Sequence, residues 1–106
     1  MKELLNKKFY DEDFGKFLEM LLDTELLLAF NGNHLLEMVA GDKTYIPLFT
    51  DEEEVNTTYT RLDKVKLGIV IKDIYSIGKY HAITINPHTN DFIIGKNLIR
   101  IIESLI

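Results

Sequence analysis

The sequence predicts an α+β fold, with a mainly antiparallel or mixed sheet of about five to six strands and about three to four helices packed on it. Three observations predict it. Apolar residues recur at helical spacing near both ends of the chain, over residues 10–22 and 96–106. Between them lie short apolar runs, several rich in β-branched residues. Those runs are separated by tight-turn chemistry: Asn31-Gly32-Asn33, Gly41-Asp42-Lys43 and Pro87-His88-Thr89-Asn90. A chain of 106 residues with 46% hydrophobic and 27% charged side chains has the size and composition of one ordinary globular domain.

The first helix is expected over residues 10–22. Tyr10, Phe14, Phe17, Leu18, Leu21 and Leu22 form its apolar stripe, and Asp11, Glu12 and Asp13 complement the dipole of its first turn. Gly15 weakens this helix by about 1 kcal/mol relative to alanine, which suggests a neighbouring element approaching closely there. The opening MKELLNKK could add a turn but has no cap. Residues 24–30, 34–40 and 44–49 then read as three strands of an antiparallel meander, joined by an Asn-Gly hairpin turn and a Gly-Asp-Lys turn. Pro47 cannot donate to a ladder, so its strand is at an edge or its regular pairing ends there.

Four carboxylates follow that strand at once, in TDEEEV. Thr50 and Glu53 match the capping-box pattern of a helix start, with Asp51, Glu52 and Glu54 at its positive end and Val55 and Tyr59 as its apolar stripe. Residues 65–71 read as a fourth strand. Asp73 is expected to cap a helix over about 74–80, with Ile74, Tyr75 and Gly78 facing inward. Residues 82–86 and 91–94 make a second turn-closed pair of strands. The last helix, 96–106, presents Leu98, Ile101, Ile102 and Leu105 on one face.

Charge is uneven within a net −5. Residues 1–60 carry thirteen acids against five lysines, a balance of −8, and residues 61–106 carry four acids against seven basic residues, a balance of +3. An acidic chain argues against nucleic-acid binding, whose affinity comes largely from neutralised phosphates. It suits a basic protein partner, and equally a plain solvated surface. Cysteine is absent, so disulfides and thiolate metal sites are excluded. The N-terminus has no apolar run of signal-peptide type, and the longest apolar run, 26–30, is too short to cross a bilayer, so a cytoplasmic protein is expected.

Motifs for chemistry are sparse. The Gly-rich phosphate patterns and the nucleophile elbow are absent. His34, His81 and His88 show no ligand spacing, and His81 and His88 would flank one strand at roughly 20 Å, too far to share a metal. No cofactor is therefore expected. Asn86-Pro87 ends a strand by its own conformational preference. Asp51, Glu52 and Glu54 sit on one short turn and cannot face each other across a substrate.

The order of these segments resembles the N-terminal domain of the bacterial enhanced serine sensitivity protein B (SseB) family. Tyr45, Pro47, Phe49 and Thr50 match that family's Y-[IV]-P-[VL]-F-T segment, and Asn86-Pro87 matches its NP after an apolar strand. Leu21, Leu22 and Glu25 to Leu27 fit the start of its first strand, and the likeness spans about residues 10–105. Gly95 departs from the family's usual Ser/Thr cap on the last helix, and the second domain of longer members has no counterpart here. The resemblance implies an α+β bacterial cytoplasmic domain with no established enzymatic activity and no catalytic residues to transfer.

Two functional expectations follow. The first is a non-enzymatic protein-binding module, either regulatory or neutralising a toxin encoded beside it, with Asp51, Glu52 and Glu54 meeting a basic partner. The second is a small-molecule sensor or cryptic enzyme with a pocket near residues 86–91, using Tyr45, Asn86 and His88. A homodimer built on an edge strand bearing Pro47 is compatible with either.

Overall fold

The computed structural model describes residues 5, 11–76 and 78–105. The expected turn over residues 1–8 and the placement of Tyr10 lie outside them, apart from Leu5, which is buried. Helix α1 covers Asp11–Asp23. Its Phe17, Leu18 and Leu21 are buried, at the i, i+1, i+4 spacing of a core-facing stripe. An added Cβ at Gly15 would meet nothing within 4 Å among the described residues, so none of them makes the close approach expected there.

Seven strands follow among the described residues, one more than the upper expectation: β1 Glu25–Asn31, β2 His34–Leu35, β3 Met38–Ala40, β4 Lys43–Leu48, β5 Arg61–Lys66, β6 Ala82–Ile85 and β7 Phe92–Ile94. They form a three-stranded sheet ordered β2-β1-β5 and a four-stranded sheet ordered β3-β4-β6-β7. All pairings are antiparallel except β4 with β6, so the architecture is α+β with one mixed sheet. The two sheets meet where Leu27 and Phe49 exchange both backbone hydrogen bonds, at 2.8 and 3.1 Å.

The expected meander is divided between these sheets. A hairpin forms at the expected place, but its two central residues are Gly32, at φ +61°, and Asn33 instead of Asn31-Gly32. Asn31 is still in β1 and pairs with His34, and only His34 and Leu35 return along β1. The Leu36 amide still bonds Ala29, and the chain then passes to the other sheet, where β3 pairs with β4. Pro47 therefore lies in an interior strand. The β4 carbonyls of Thr44 and Leu48 accept from His81 and Asn86 on the β6 side. By alternation the Pro47 nitrogen points the other way, where pairing with β3 has already ended at Tyr45. The edge alternative is excluded, and with it a dimer built on a Pro47 edge.

The capping box does not form. Glu52–Glu54 is a single 3-10 turn, its N-cap is Asp51 with no side-chain cap bond, and Val55 is extended at φ −78°, ψ 97°, so the helix stops short of Tyr59. The Thr50 hydroxyl is recruited elsewhere, as described below. Glu53 is exposed. Replacing it with alanine is expected to change stability by no more than about 0.5 kcal/mol, where loss of a true cap box would cost about 1 kcal/mol. A urea unfolding midpoint distinguishes the two.

The next segment also differs. Residues 65–71 are not one strand: β5 ends at Lys66, and helix α2, Leu67–Val70, begins immediately and continues as a π-helix over Ile71–Tyr75. Leu67, Val70 and Ile71 are buried at i, i+3, i+4, so helical burial overrides the β-propensity of this run. Asp73 lies inside the π segment instead of capping a helix, and Gly78 is exposed. Helix α3, Lys96–Glu103, starts from Gly95 without a side-chain cap bond. It buries Ile99 and Ile102, with Leu98 half-buried, whereas Ile101 and Leu105 of the expected inward face remain exposed.

The core combines α1, α2 and α3 with one face of each sheet. Leu26 and Leu28 come from β1, Ile46 and Leu48 from β4, Ile83 and Ile85 from β6, and Ile94 from β7. Among the described residues no helix is long and apolar enough to cross a membrane.

Candidate functional site

β4 and β6 run parallel in the register Leu48↔Ile85, so the segments that leave them, Phe49-Thr50 and Asn86-Pro87, emerge side by side. Such strand ends are where open sheets place ligand sites. The turn after β6 is bracketed by two left-handed residues, Asn86 at φ +50° and Asp91 at φ +46°. Asn and Asp tolerate this region because their short polar side chains bond locally. The Asn86 carbonyl accepts from the Thr89 amide at 3.0 Å and the Asp91 amide at 2.8 Å, closing the turn.

The Asn86 side chain is fully buried and joins its own turn to the segment that leaves β4. Its Oδ1 accepts from the Thr50 amide at 3.0 Å, and its Nδ2 donates to the Thr50 hydroxyl at 2.9 Å and to Asn90 Oδ1 at 2.8 Å. Nearby, the Thr89 hydroxyl donates to buried Glu54 at 2.7 Å, fixing the acidic 3-10 turn against the same turn. The Thr50 hydroxyl also donates to Asp51 at 3.3 Å. The acidic segment is thus fastened to the β6–β7 turn by side chains about 35 positions apart in sequence.

Above this clamp lies a groove of about 300 Å³, lined by Leu36 to Val39, Pro47, Phe49, Asn56, Thr57, Pro87 and His88. Met38, Pro47 and Phe49 share one sheet face by alternation and pairing register. Two carboxylates beside it are each held by a tyrosine. The Tyr59 hydroxyl donates to Glu52 at 2.7 Å, closing the loop that carries Asn56 and Thr57, and this contact raises the Tyr59 pKa. Burial, followed by a hydrogen bond to Glu37, pushes Tyr80 up to about 12.

Of the sequence candidates, His88 lines the groove and is exposed. Tyr45 instead packs its ring edge-on against His81, at 5.8 Å between centroids, and is not part of the lining. Asn86 lies beneath the groove with its amide engaged in the fold. Glu54 is buried on Thr89, Asp51 is half-buried beside Thr50, and Glu52 is exposed on Tyr59. The structure therefore brings Asn86 and the acidic segment together and leaves Tyr45 apart. Sequence reasoning missed Glu37, Met38, Asn56 and Thr57, which carry no motif. It also missed the roles of Thr89 and Asn90, for which the crowding of turn formers in NPHTND was the available signal. Among the described residues no group of three or more His, Asp or Glu side chains could hold a metal ion.

The tyrosine at Glu37 has a pH consequence. A folded pKa raised above the unfolded value of about 10 means that the native state holds its proton longer. The stabilisation is complete below pH about 10 and is lost as pH rises toward 12. Tyr80→Phe is expected to flatten the fall of the unfolding midpoint in that window, read from urea titrations at successive pH values.

No family model, no curated protein and no solved structure matches this chain.

Proposed function

We propose that this chain is a non-enzymatic binding module that takes up a basic segment of a protein partner, in a regulatory or toxin-neutralising role. The observation that carries this reading is the pre-organised groove with acidic margins. Pro47 and Phe49 give it apolar lining, Glu37 is part of its lining, and the Glu52–Glu54 turn is anchored beside it through Thr89 and Tyr59. A rigid, acidic, partly apolar groove lowers the ordering cost of binding and steers a cationic partner.

The test is an affinity pull-down from native lysate at low and high salt, followed by association kinetics with the recovered protein. Glu53→Lys, at an exposed position of the turn, is expected to slow association severalfold at low salt and to flatten its salt dependence, with stability nearly unchanged. Asp51, Glu52 and Glu54 are left intact because they serve the fold, Glu52 through its bond from Tyr59. An association rate indifferent to both charge and salt sinks the proposal.

A second reading, a small-molecule sensor, is favoured by one observation: His88 lines the groove, whose volume of about 300 Å³ is at the lower end of ligand pockets. A ligand present at a hundredfold excess over its dissociation constant should stabilise the fold by about 2.7 kcal/mol. Absence of any thermal shift across a metabolite panel including serine counts against it.

A further inference from the structure

A second surface lies away from the groove, where the three helices meet. A cleft of about 590 Å³ there is lined by Leu22 of α1, Ile69 and Ile71 of the α2 segment, Lys66, Lys72 and Glu103 among others. A smaller cleft adjoins it through Leu22 and includes Leu105. Ile69, Ile101 and Leu105 are each about half exposed, at 50%, 50% and 52%. Ile69 lines the larger cleft and Leu105, just past the end of α3, lines the smaller one, whereas Ile101 lines neither. Adjoining apolar side chains left half exposed mark a contact surface.

The charges on this face indicate what covers it. Lys66 and Lys72 come from the β5–α2 side, whereas Glu103 comes from α3, and Glu19 and Asp23 come from α1. Lys66 already pairs with Asp23 at 3.2 Å. The rim is therefore balanced, which favours neither a basic nor an acidic partner. It is also self-complementary. A two-fold axis through the cleft exchanges its opposite walls, so that Lys72 of one copy meets Glu103 of the other, and the reverse. A stable dimer needs roughly 800 Å² from each copy, about an eighth of the 6712 Å² surface of this chain.

We propose that this helical face binds a second copy of the same chain, with Ile69 of each protomer entering the partner's cleft and Lys72 facing the partner's Glu103. The surface is separate from the acidic groove, so the dimer would leave both grooves open and make the module bivalent.

Sedimentation velocity of the full chain over a micromolar concentration series tests this. The expected mass rises from 12.3 kDa toward twice that value. Ile69→Glu and, independently, Leu105→Glu should raise the dissociation constant at least tenfold. Both positions are half exposed, and unchanged melting of each variant establishes that the fold survives. Lys72→Glu alone and Glu103→Lys alone should each weaken the dimer, and the two together should restore it, which a merely structural role would not produce. Ile93→Glu, at a half-exposed position on β7 outside both clefts and outside the groove, should have no effect. A chain that stays at 12.3 kDa throughout, including one whose cleft binds a hydrophobic dye and so awaits another protein, overturns the proposal. So does a dimer that is indifferent to Ile69→Glu, or a charge swap that fails to restore association.

Discussion

Replacing Asn86 with alanine is expected to destabilise the fold by about 3–4 kcal/mol, and to lower the melting temperature by on the order of 15 °C for a domain of this size. The side chain is 0% exposed and makes three hydrogen bonds, at 3.0, 2.9 and 2.8 Å, to the Thr50 amide, the Thr50 hydroxyl and Asn90. Each is worth about 1 kcal/mol net, and a partner left buried without a replacement costs more, about 1–3 kcal/mol. Alanine at φ +50° adds roughly 1 kcal/mol of backbone cost that asparagine largely avoids. Asn86→Gly separates the two contributions, because it relieves the backbone but not the lost bonds. It should recover about 1 kcal/mol of the loss. Asn86→Asp keeps the acceptor for the Thr50 amide and lets the Thr50 hydroxyl rotate to donate, but it loses the donor to Asn90 Oδ1 and buries a charge, so it should remain below wild type at neutral pH. If urea unfolding gives less than about 1 kcal/mol for Asn86→Ala, the clamp is not what fastens the acidic segment.

Phe17→Ala should cost a similar amount, about 4 kcal/mol, for a different reason. Phe17 is 2% exposed. Its ring stacks on Phe14 at 6.1 Å and meets Phe92 edge-on at 5.6 Å with an interplanar angle of 67°. It thereby ties α1 to β7, which occupies one edge of the four-stranded sheet. Truncation removes a large apolar area and both ring contacts and leaves a cavity whose collapse is limited by the strands around it. Phe17→Leu keeps most of the volume and should cost less than about 1.5 kcal/mol. A loss under about 2 kcal/mol for the alanine variant would mean that α1 is docked chiefly through Leu18 and Leu21.

Elements determined by local chemistry were legible. α1 followed from its apolar stripe, the place of the first hairpin from the Asn-Gly-Asn cluster, though its tip is Gly32-Asn33, and β6 with β7 from the apolar runs around Pro87. The errors arose where distant residues decide. Ile69, Val70 and Ile71 favour strand locally, yet burial of Leu67, Val70 and Ile71 selects a helix, and that i, i+3, i+4 spacing was visible beneath the β-branched composition. Thr50 matched a cap, but its hydroxyl is bonded by a residue 36 positions away. The inward face of α3 was assigned through Ile101 when Ile99 fills the core, because the sheet onto which the helix packs sets its rotation. At the candidate site, His88 was legible as a turn residue near a strand end. The lining by Met38, Pro47 and Phe49 was not, since it depends on the chain changing sheets after Leu36, which no local signal announces.

The reciprocal bond pair between Leu27 and Phe49 joins two sheets that otherwise pair only within themselves. It lies one residue before Thr50, hence next to the buried amide that holds the acidic turn. Protection of the Leu27 and Phe49 amides against hydrogen exchange therefore reports the parting of the sheets. A partner seated in the groove, by holding Phe49 and Pro47 in place, would slow exchange at these amides without covering Leu27. The seam between the sheets would then register occupancy of a site on the surface, and carry that signal inward toward β1.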